Sequence, residues 1–415
     1  MKFNNILILI IMVVLPELLI SQNLTSSPYS VFGVGEIVSK GSGMNQGMGG
    51  VGIGMKSVNS LNNLNPASYS GIDSLYFIYE LSVLGEFSEF STTNNSQKQF
   101  DGNLSGFALG FQAKNWWGVS IGLMPFSSVG YNISTVNEME KDNSVYNDTY
   151  IGTGGINQIY MGNSFKVHKN VSLGLNVSYL FGTLEEDEQI SFGNDIIDYS
   201  LNSINYVNGL YVDYGLQYYI EGKKFNYTLG AIYGHKRNLN SSSDRIIYDV
   251  DGLELYSGED LENSESYSIP EKMGIGFSAT KNNKLTVAFD YTLNKWSDIE
   301  FQNSEMETKD SHKFALGLEY SPKGRNSGKA FTGWYYRIGA YYNSSYLSIY
   351  NNQLNSKALT FGLGIPVKRN LSMFNVAFQV GNYGTLNDGL IEERFYNISV
   401  NFSLQDIWFM KRKFE

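Results

Sequence analysis

The sequence predicts an all-β protein: a 14-stranded antiparallel transmembrane β-barrel with an N-terminal hatch (plug) segment. Three observations carry this expectation. Apolar and polar residues alternate with period two along most of the chain. The alternating runs are longer than strands of soluble proteins usually are. The connectors between them alternate in length and in charge. Composition agrees with the pattern and excludes several alternatives. The 415 residues include 43 Gly, 30 Tyr and 25 Phe but no Cys, which removes disulfide scaffolds, thiolate metal sites and cysteine nucleophiles. A net charge of −10 argues against a nucleic-acid partner, which calls for a basic face.

The chain begins with an export signal. Lys2 precedes an apolar run from Ile6 to Leu15, closed by Pro16 and Glu17. That core fits a signal-peptide h-region and falls short of the ~20 residues a membrane-spanning helix needs. We assign residues 1–21 to a cleavable signal peptide, with cleavage near Ser21 and Gln22, residues 22–72 to the hatch, and residues 73–415 to the barrel.

The hatch segment is rich in Gly, Ser, Asn and Met. It carries Gly47-Met48-Gly49-Gly50 and then Asn65-Pro66-Ala67. Glycine lets backbone pack closely against a wall, and Asn-Pro favours a turn. Met44, Met48, Val51, Ile53 and Met55 suit either a greasy site or, better, the packed core of a plug. A barrel of fourteen strands encloses more space than its own side chains fill, so a plug is physically reasonable.

Fourteen alternating segments follow, at about 74–91, 99–113, 116–133, 153–167, 171–186, 203–220, 224–238, 266–280, 285–300, 309–321, 332–348, 356–367, 371–384 and 394–407. In one of them Leu285, Val287, Phe289, Tyr291 and Leu293 alternate with Thr286, Ala288, Asp290 and Thr292. A tilted strand crosses the hydrocarbon with ~9–11 residues, so these cross with length to spare. An even number allows antiparallel closure, which removes the unpaired edge that lipid cannot satisfy. Polar parity places Asp213, Gln217, Asp290, Glu319, Tyr335, Arg337 and Asn397 in the lumen. A charge on the lipid face costs ~2–4 kcal/mol at mid-depth, which favours the inward assignment. Whether Arg337 pairs with Asp290 or Glu319 stays open at this level.

Alternate connectors are short and basic, as at Lys114-Asn115, His168-Lys169-Asn170, Gly222-Lys223 and Lys368-Arg369-Asn370; the longer 322–331 connector keeps Lys323, Arg325 and Lys329. The intervening connectors are expected to be mostly longer and acidic: 134–152, 187–202 and 239–264 hold fifteen Asp and Glu against Lys141 and Arg245. Short periplasmic turns and long outer loops are the outer-membrane arrangement. Trp116, Trp117, Trp334 and Trp408 fall near the short-turn side, where an aromatic girdle belongs.

Fourteen long strands behind a segment with Asn65-Pro66-Ala67 and Gly47-Met48-Gly49-Gly50 resemble the FadL-like outer-membrane transporters of hydrophobic compounds and long-chain fatty acids. The resemblance covers essentially the whole mature chain. It implies an outer-membrane location, a hatch that blocks the barrel and shifts to pass ligand, and a kinked third strand that opens sideways into the membrane. Pro125 and Phe126 stand inside the third predicted strand, and Pro cannot donate to the ladder. The expected partners are membrane lipid and a hydrophobic small molecule taken up passively, with no cofactor, metal or nucleic acid. One departure matters: the outer connectors are acidic rather than apolar, and would repel a fatty carboxylate. The alternative is a non-transporting partner subunit of an outer-membrane secretion or barrel-assembly complex.

No sequence motif supports an enzyme. Gly47, Gly49 and Gly52 match a dinucleotide fingerprint by letters only, without the strand and helix around it. His168, His235 and His312 are too scattered for a metal site, and no Gly-x-Ser-x-Gly occurs.

Overall fold

In the computed structural model, residues 27–41, 43–56, 60–74, 76–139, 145–192, 199–249, 251–259, 267–299, 306–322, 333–367 and 372–407 are described. The expected signal peptide, Trp408 and the Lys368-Arg369-Asn370 turn lie outside these residues.

The wall has fourteen antiparallel strands. They are β1 (Tyr76–Ser91), β2 (Ser96–Lys114), β3a and β3b (Trp117–Pro125 and Ser127–Glu138), β4 (Val145–His168), β5 (Val171–Ser191) and β6 (Tyr199–Glu221). Next come β7a and β7b (Phe225–Gly234 and Asn240–Asp249), β8a and β8b (Glu254–Glu259 and Glu271–Lys281) and β9 (Leu285–Lys295). The last five are β10 (Ser311–Tyr320), β11 (Tyr335–Ile349), β12 (Asn352–Val367), β13 (Ser372–Gly384) and β14 (Glu392–Ile407). Strand β14 returns to β1 from Tyr76↔Ile407 to Ser91↔Glu392, which closes the barrel. No described helix is long and apolar enough to cross a membrane.

Period-two alternation becomes two faces because successive side chains of a strand point opposite ways. On β5, Leu173, Val177 and Tyr179 are exposed outward, whereas Asn176 and Ser178 are buried inside. On β9, Leu285, Val287 and Phe289 face out while Ala288 and Asp290 face in. Trp116, Trp117 and Phe165 stack at the short-turn end, as an interfacial girdle should.

The acidic connectors need a correction. Most of 134–152, 187–202 and 239–264 is strand rather than loop: β3b runs to Glu138, β4 starts at Val145 and β7b ends at Asp249. Hydrophobic alternation stops where the lipid stops, but backbone pairing does not depend on it. Thr, Tyr and Ile keep extended backbone favourable above the membrane. The acidic side chains therefore decorate a sheet that projects outward. The outer connectors are also not uniformly long, since Tyr350 and Asn351 alone join β11 to β12 with left-handed φ values of 49° and 63°.

Residues 27–74 pack against inward-facing wall residues as short turns. These are a 3-10 turn Pro28–Val31, a two-residue strand Glu36–Ile37, a helical turn Gly43–Gln46 and a 3-10 helix Pro66–Gly71. Met48, Val51 and Met55 form a buried cluster with wall residues Ala288 and Ala315, the packed-core alternative for these methionines.

Candidate functional site in the lumen and at the break in the wall

The Asn65-Pro66-Ala67 motif makes a capped turn seated on the wall. Asn65 precedes the 3-10 helix, and its Oδ1 accepts a hydrogen bond from Ala67 N at 3.0 Å. Its Nδ2 donates to Ile53 O at 2.9 Å and to the wall carbonyl of Leu216 at 3.1 Å. Pro66 fills the first helical position, where its missing N–H costs nothing. Such closeness needs a wall without side chains at these points. A Cβ added at Gly174 would collide with Ala67, and one at Gly215 with Asn65.

The Gly47-Met48-Gly49-Gly50 element turns sharply after the helical turn. Gly49 and Gly50 have φ of 73° and 80°, the left-handed region that glycine adopts without penalty. Gly49 N donates to Thr360 Oγ1 at 2.8 Å, and a Cβ on wall Gly339 would strike Met48. Further wall side chains hold the segment, among them Asp290, Glu80, Gln217 and Ser278. Asp290 Oδ2 accepts from Gly52 N at 2.6 Å and Ile53 N at 2.8 Å, and Glu80 Oε1 accepts from Leu61 N at 2.7 Å. Gln217 donates to Ile53 O and Met55 O, and Ser278 to Gly54 O.

The other polar residues assigned to the lumen also face inward. Arg337 Nε donates to Glu319 Oε2 at 2.7 Å and Arg337 Nη1 to Asn375 Oδ1 at 2.8 Å, so the Arg337 partner is Glu319 and not Asp290. Asp213 pairs at 3.2 Å with Lys40, a residue of the N-terminal segment.

The third wall strand is interrupted at Phe126, next to Pro125. Strand β3a pairs with β2 from Phe107↔Leu123 to Lys114↔Trp117, and the third wall strand then splits at Phe126. Beyond it β3b keeps its ladder to β4 but, among the described residues, has none to β2. Residues 127–131 are buried on both parities, which a wall strand facing lipid does not show, so the root of β3b steps inside the barrel. The N-terminal segment replaces β2 there: Glu36 and Ile37 pair with Ser128 and Ser127, Val38 N donates to Phe126 O, and Gly130 N to Ser30 Oγ. Among the described residues, 96–106 of β2 have a strand ladder to β1 and none to a second strand. Their outward side chains Phe100 and Leu104 are 71% and 53% exposed, so this edge runs through the apolar outer face.

Inside the break lies a cavity of about 410 Å³. Phe107, Met124, Pro125 and Phe126 line it at the break. Glu36, Glu86 and Glu393 line it too, and sequence reasoning did not single them out. Inward parity could have flagged Glu86, but Glu36 becomes a neighbour of Glu393 only through the fold. The Glu36 side chain opens onto the cavity, but its depth inside the barrel, then the carboxylates of Glu393 and Glu86, raise its pKa above the ordinary value. Among the described residues no group of three or more His, Asp or Glu is placed to hold a metal ion.

A family model described as BamG matches residues 3–415. Among curated proteins no relative matches the chain. Solved structures share its fold at low identity. The monoaromatic hydrocarbon channel CymD is 15% identical with a TM-score of 0.58, covering 91% of this chain and 100% of its own. The Ralstonia pickettii toluene transporter TbuX is 15% identical with a TM-score of 0.58, covering 89% and 99%. A Pseudomonas aeruginosa FadL homologue is 14% identical with a TM-score of 0.59, covering 91% and 100%. The chain thus shares the β-barrel fold of these FadL-type channels.

Proposed function

The chain belongs to the BamG family, and on that premise we propose that its plugged, side-broken barrel is a docking subunit of an outer-membrane secretion or barrel-assembly complex. The observation that carries this reading is the edge of β2 over residues 96–106, where among the described residues a strand ladder runs to β1 and none runs to a second strand. Lipid offers no hydrogen bonds, and each unsatisfied backbone group in hydrocarbon costs several kcal/mol. A strand of a neighbouring outer-membrane protein would satisfy that edge by adding to the sheet. Residues 27–74 support the same reading as a fixed plug. They are tied to the wall by carboxylates, amides and backbone contact at glycine positions, so expelling them would break many buried hydrogen bonds at once.

A second reading, passive sideways passage of a hydrophobic molecule, is favoured by one specific observation. The cavity reaches the break through Phe107, Met124, Pro125 and Phe126, which would offer an apolar exit beside Pro125. CymD and TbuX are named for monoaromatic hydrocarbons and toluene. Against an anionic cargo stand Glu36, Glu86 and Glu393 in the same cavity. Gentle purification of the tagged protein from its own outer membrane, with mass spectrometry of everything retained, separates the readings. A stoichiometric set of outer-membrane proteins supports docking. A monomeric barrel carrying a hydrophobic compound overturns docking in favour of passage.

A further inference from the structure

We propose that the outward face of β12, β13, β14, β1 and β2 binds a phosphate-headed acyl lipid of the outer leaflet. The inference does not rest on the docking reading, because it concerns lipid-facing side chains and not the hydrogen-bonding edge of β2. It starts from cross-strand register. Lys357 stands opposite Asn382, Asn382 opposite Arg394, Arg394 opposite Glu89 and Glu89 opposite Lys98, so five neighbouring strands present one row. Two residues nearer the short-turn end the same strands carry Leu359, Val380, Tyr396, Phe87 and Phe100, all exposed outward. Polar residues thus give way to apolar ones in a single step across the whole width, as they do where a barrel wall passes from headgroups into hydrocarbon.

The next row is Phe361, Phe378, Ile398, Gly85 and Gly102, and here a groove of about 560 Å³ opens in the outer face. Its floor is Gly85, with Gly102 directly across the strand pair. The wall's own packing requires neither glycine. A Cβ on Gly102 meets nothing within 4 Å, and one on Gly85 first meets the Phe100 ring at 3.7 Å. Neither has a left-handed backbone. Two side chains missing among Phe and Ile leave a slot that an acyl chain fills.

Charge selects the head. Lys357, Arg394 and Lys98 stand against Glu89 in their row and Glu392 one step above it, in a chain whose net charge is −10. Arg394 Nε lies 3.1 Å from Glu392 Oε1 and Lys98 Nζ 3.8 Å from Glu89 Oε1, with both cations exposed. Surface pairs of this kind hold weakly. Among the described residues Lys357 has no carboxylate partner, and the two Nη groups of Arg394 make no hydrogen bond. A phosphate monoester is the acceptor that a guanidinium grips with two N–H groups at once. Chains of the same molecule then run down the wall into the groove. A choline head cancels the phosphate charge and gives the rim less to hold.

The test uses the full chain in detergent, with native mass spectrometry of titrated dipalmitoyl phosphatidic acid and dipalmitoyl phosphatidylcholine, which share their chains and differ in the head. The expected result is phosphatidic acid bound about tenfold more tightly. Combining Lys98→Gln, Lys357→Gln and Arg394→Gln should bring it down to the phosphatidylcholine level, while Lys166→Gln at the short-turn end leaves the preference intact. Gly85→Leu, which fills the slot, should weaken both lipids by about fivefold. Heat-shifted migration on gels establishes that each variant is folded. In cells, a photo-reactive amino acid at Phe378 should yield phosphate-bearing lipid adducts. Equal affinity for the two lipids, an unchanged preference in the folded triple variant, undiminished binding in folded Gly85→Leu, or a discrete protein adduct at Phe378 would overturn the proposal.

Discussion

At Gly174 and Gly339 the account rests on the absence of a single atom. Valine at either position would drive a Cβ into Ala67 or Met48, so each variant should displace residues 27–74 and expose them to protease. Gly102→Ala is the control, because a Cβ there meets open space, and it should stay resistant. Asp290→Asn keeps the shape but removes the charge that receives Gly52 N and Ile53 N; the loss should be about 1–3 kcal/mol in urea unfolding. Glu36 gives a pH dependence of definite sign. Its folded pKa stands above the unfolded value, so its contribution is fully present below the unfolded pKa and is lost as pH rises through the folded one. Glu36→Gln should therefore stabilise the barrel at neutral pH, and the gain over the unsubstituted protein should shrink on acidification. Urea unfolding at both pH values measures it. At this scale the sequence was legible where parity decides orientation, as for Asp290, Glu319 and Arg337. It was silent on pairing, because Glu319 meets Arg337 through a cross-strand register that alternation does not specify.

Among the elements, β2 and the split third strand decide what the barrel can do. An interruption close to Pro125 was suggested by its missing N–H, although Pro125 itself stays in register with Asn157 of β4 and the strand splits one residue later. That the N-terminal segment would take the place of β2 beside β3b was not legible. Two residues, Glu36 and Ile37, are too short a run for any periodic signal. The projecting halves of β4, β5 and β7b were missed for a related reason, since their polar composition reads as loop while their backbones still pair. Hydrogen exchange tests the open edge in the isolated protein. Alternate amides within residues 96–106, those pointing into the break, should exchange rapidly, while β1 amides paired to β2 and β14 stay protected. Uniform protection along β2 would mean that the edge is already covered.

For the molecule as a whole, closure was readable because fourteen long alternating strands and alternating connectors leave few other solutions. The occupant of the gap was not readable, because an unpaired edge has the same sequence as a paired one. The docking reading and the passage reading share the barrel, the plug and the cavity, and differ only in what stands against β2. The most direct measurement places a photo-reactive amino acid at Leu104 on that edge and at Leu316 on the outward face of β10, then irradiates cells carrying the full chain. The docking account predicts one discrete protein adduct at Leu104, identified as an outer-membrane protein, and only lipid adducts at Leu316. Lipid or small hydrophobic adducts alone at both positions would contradict it.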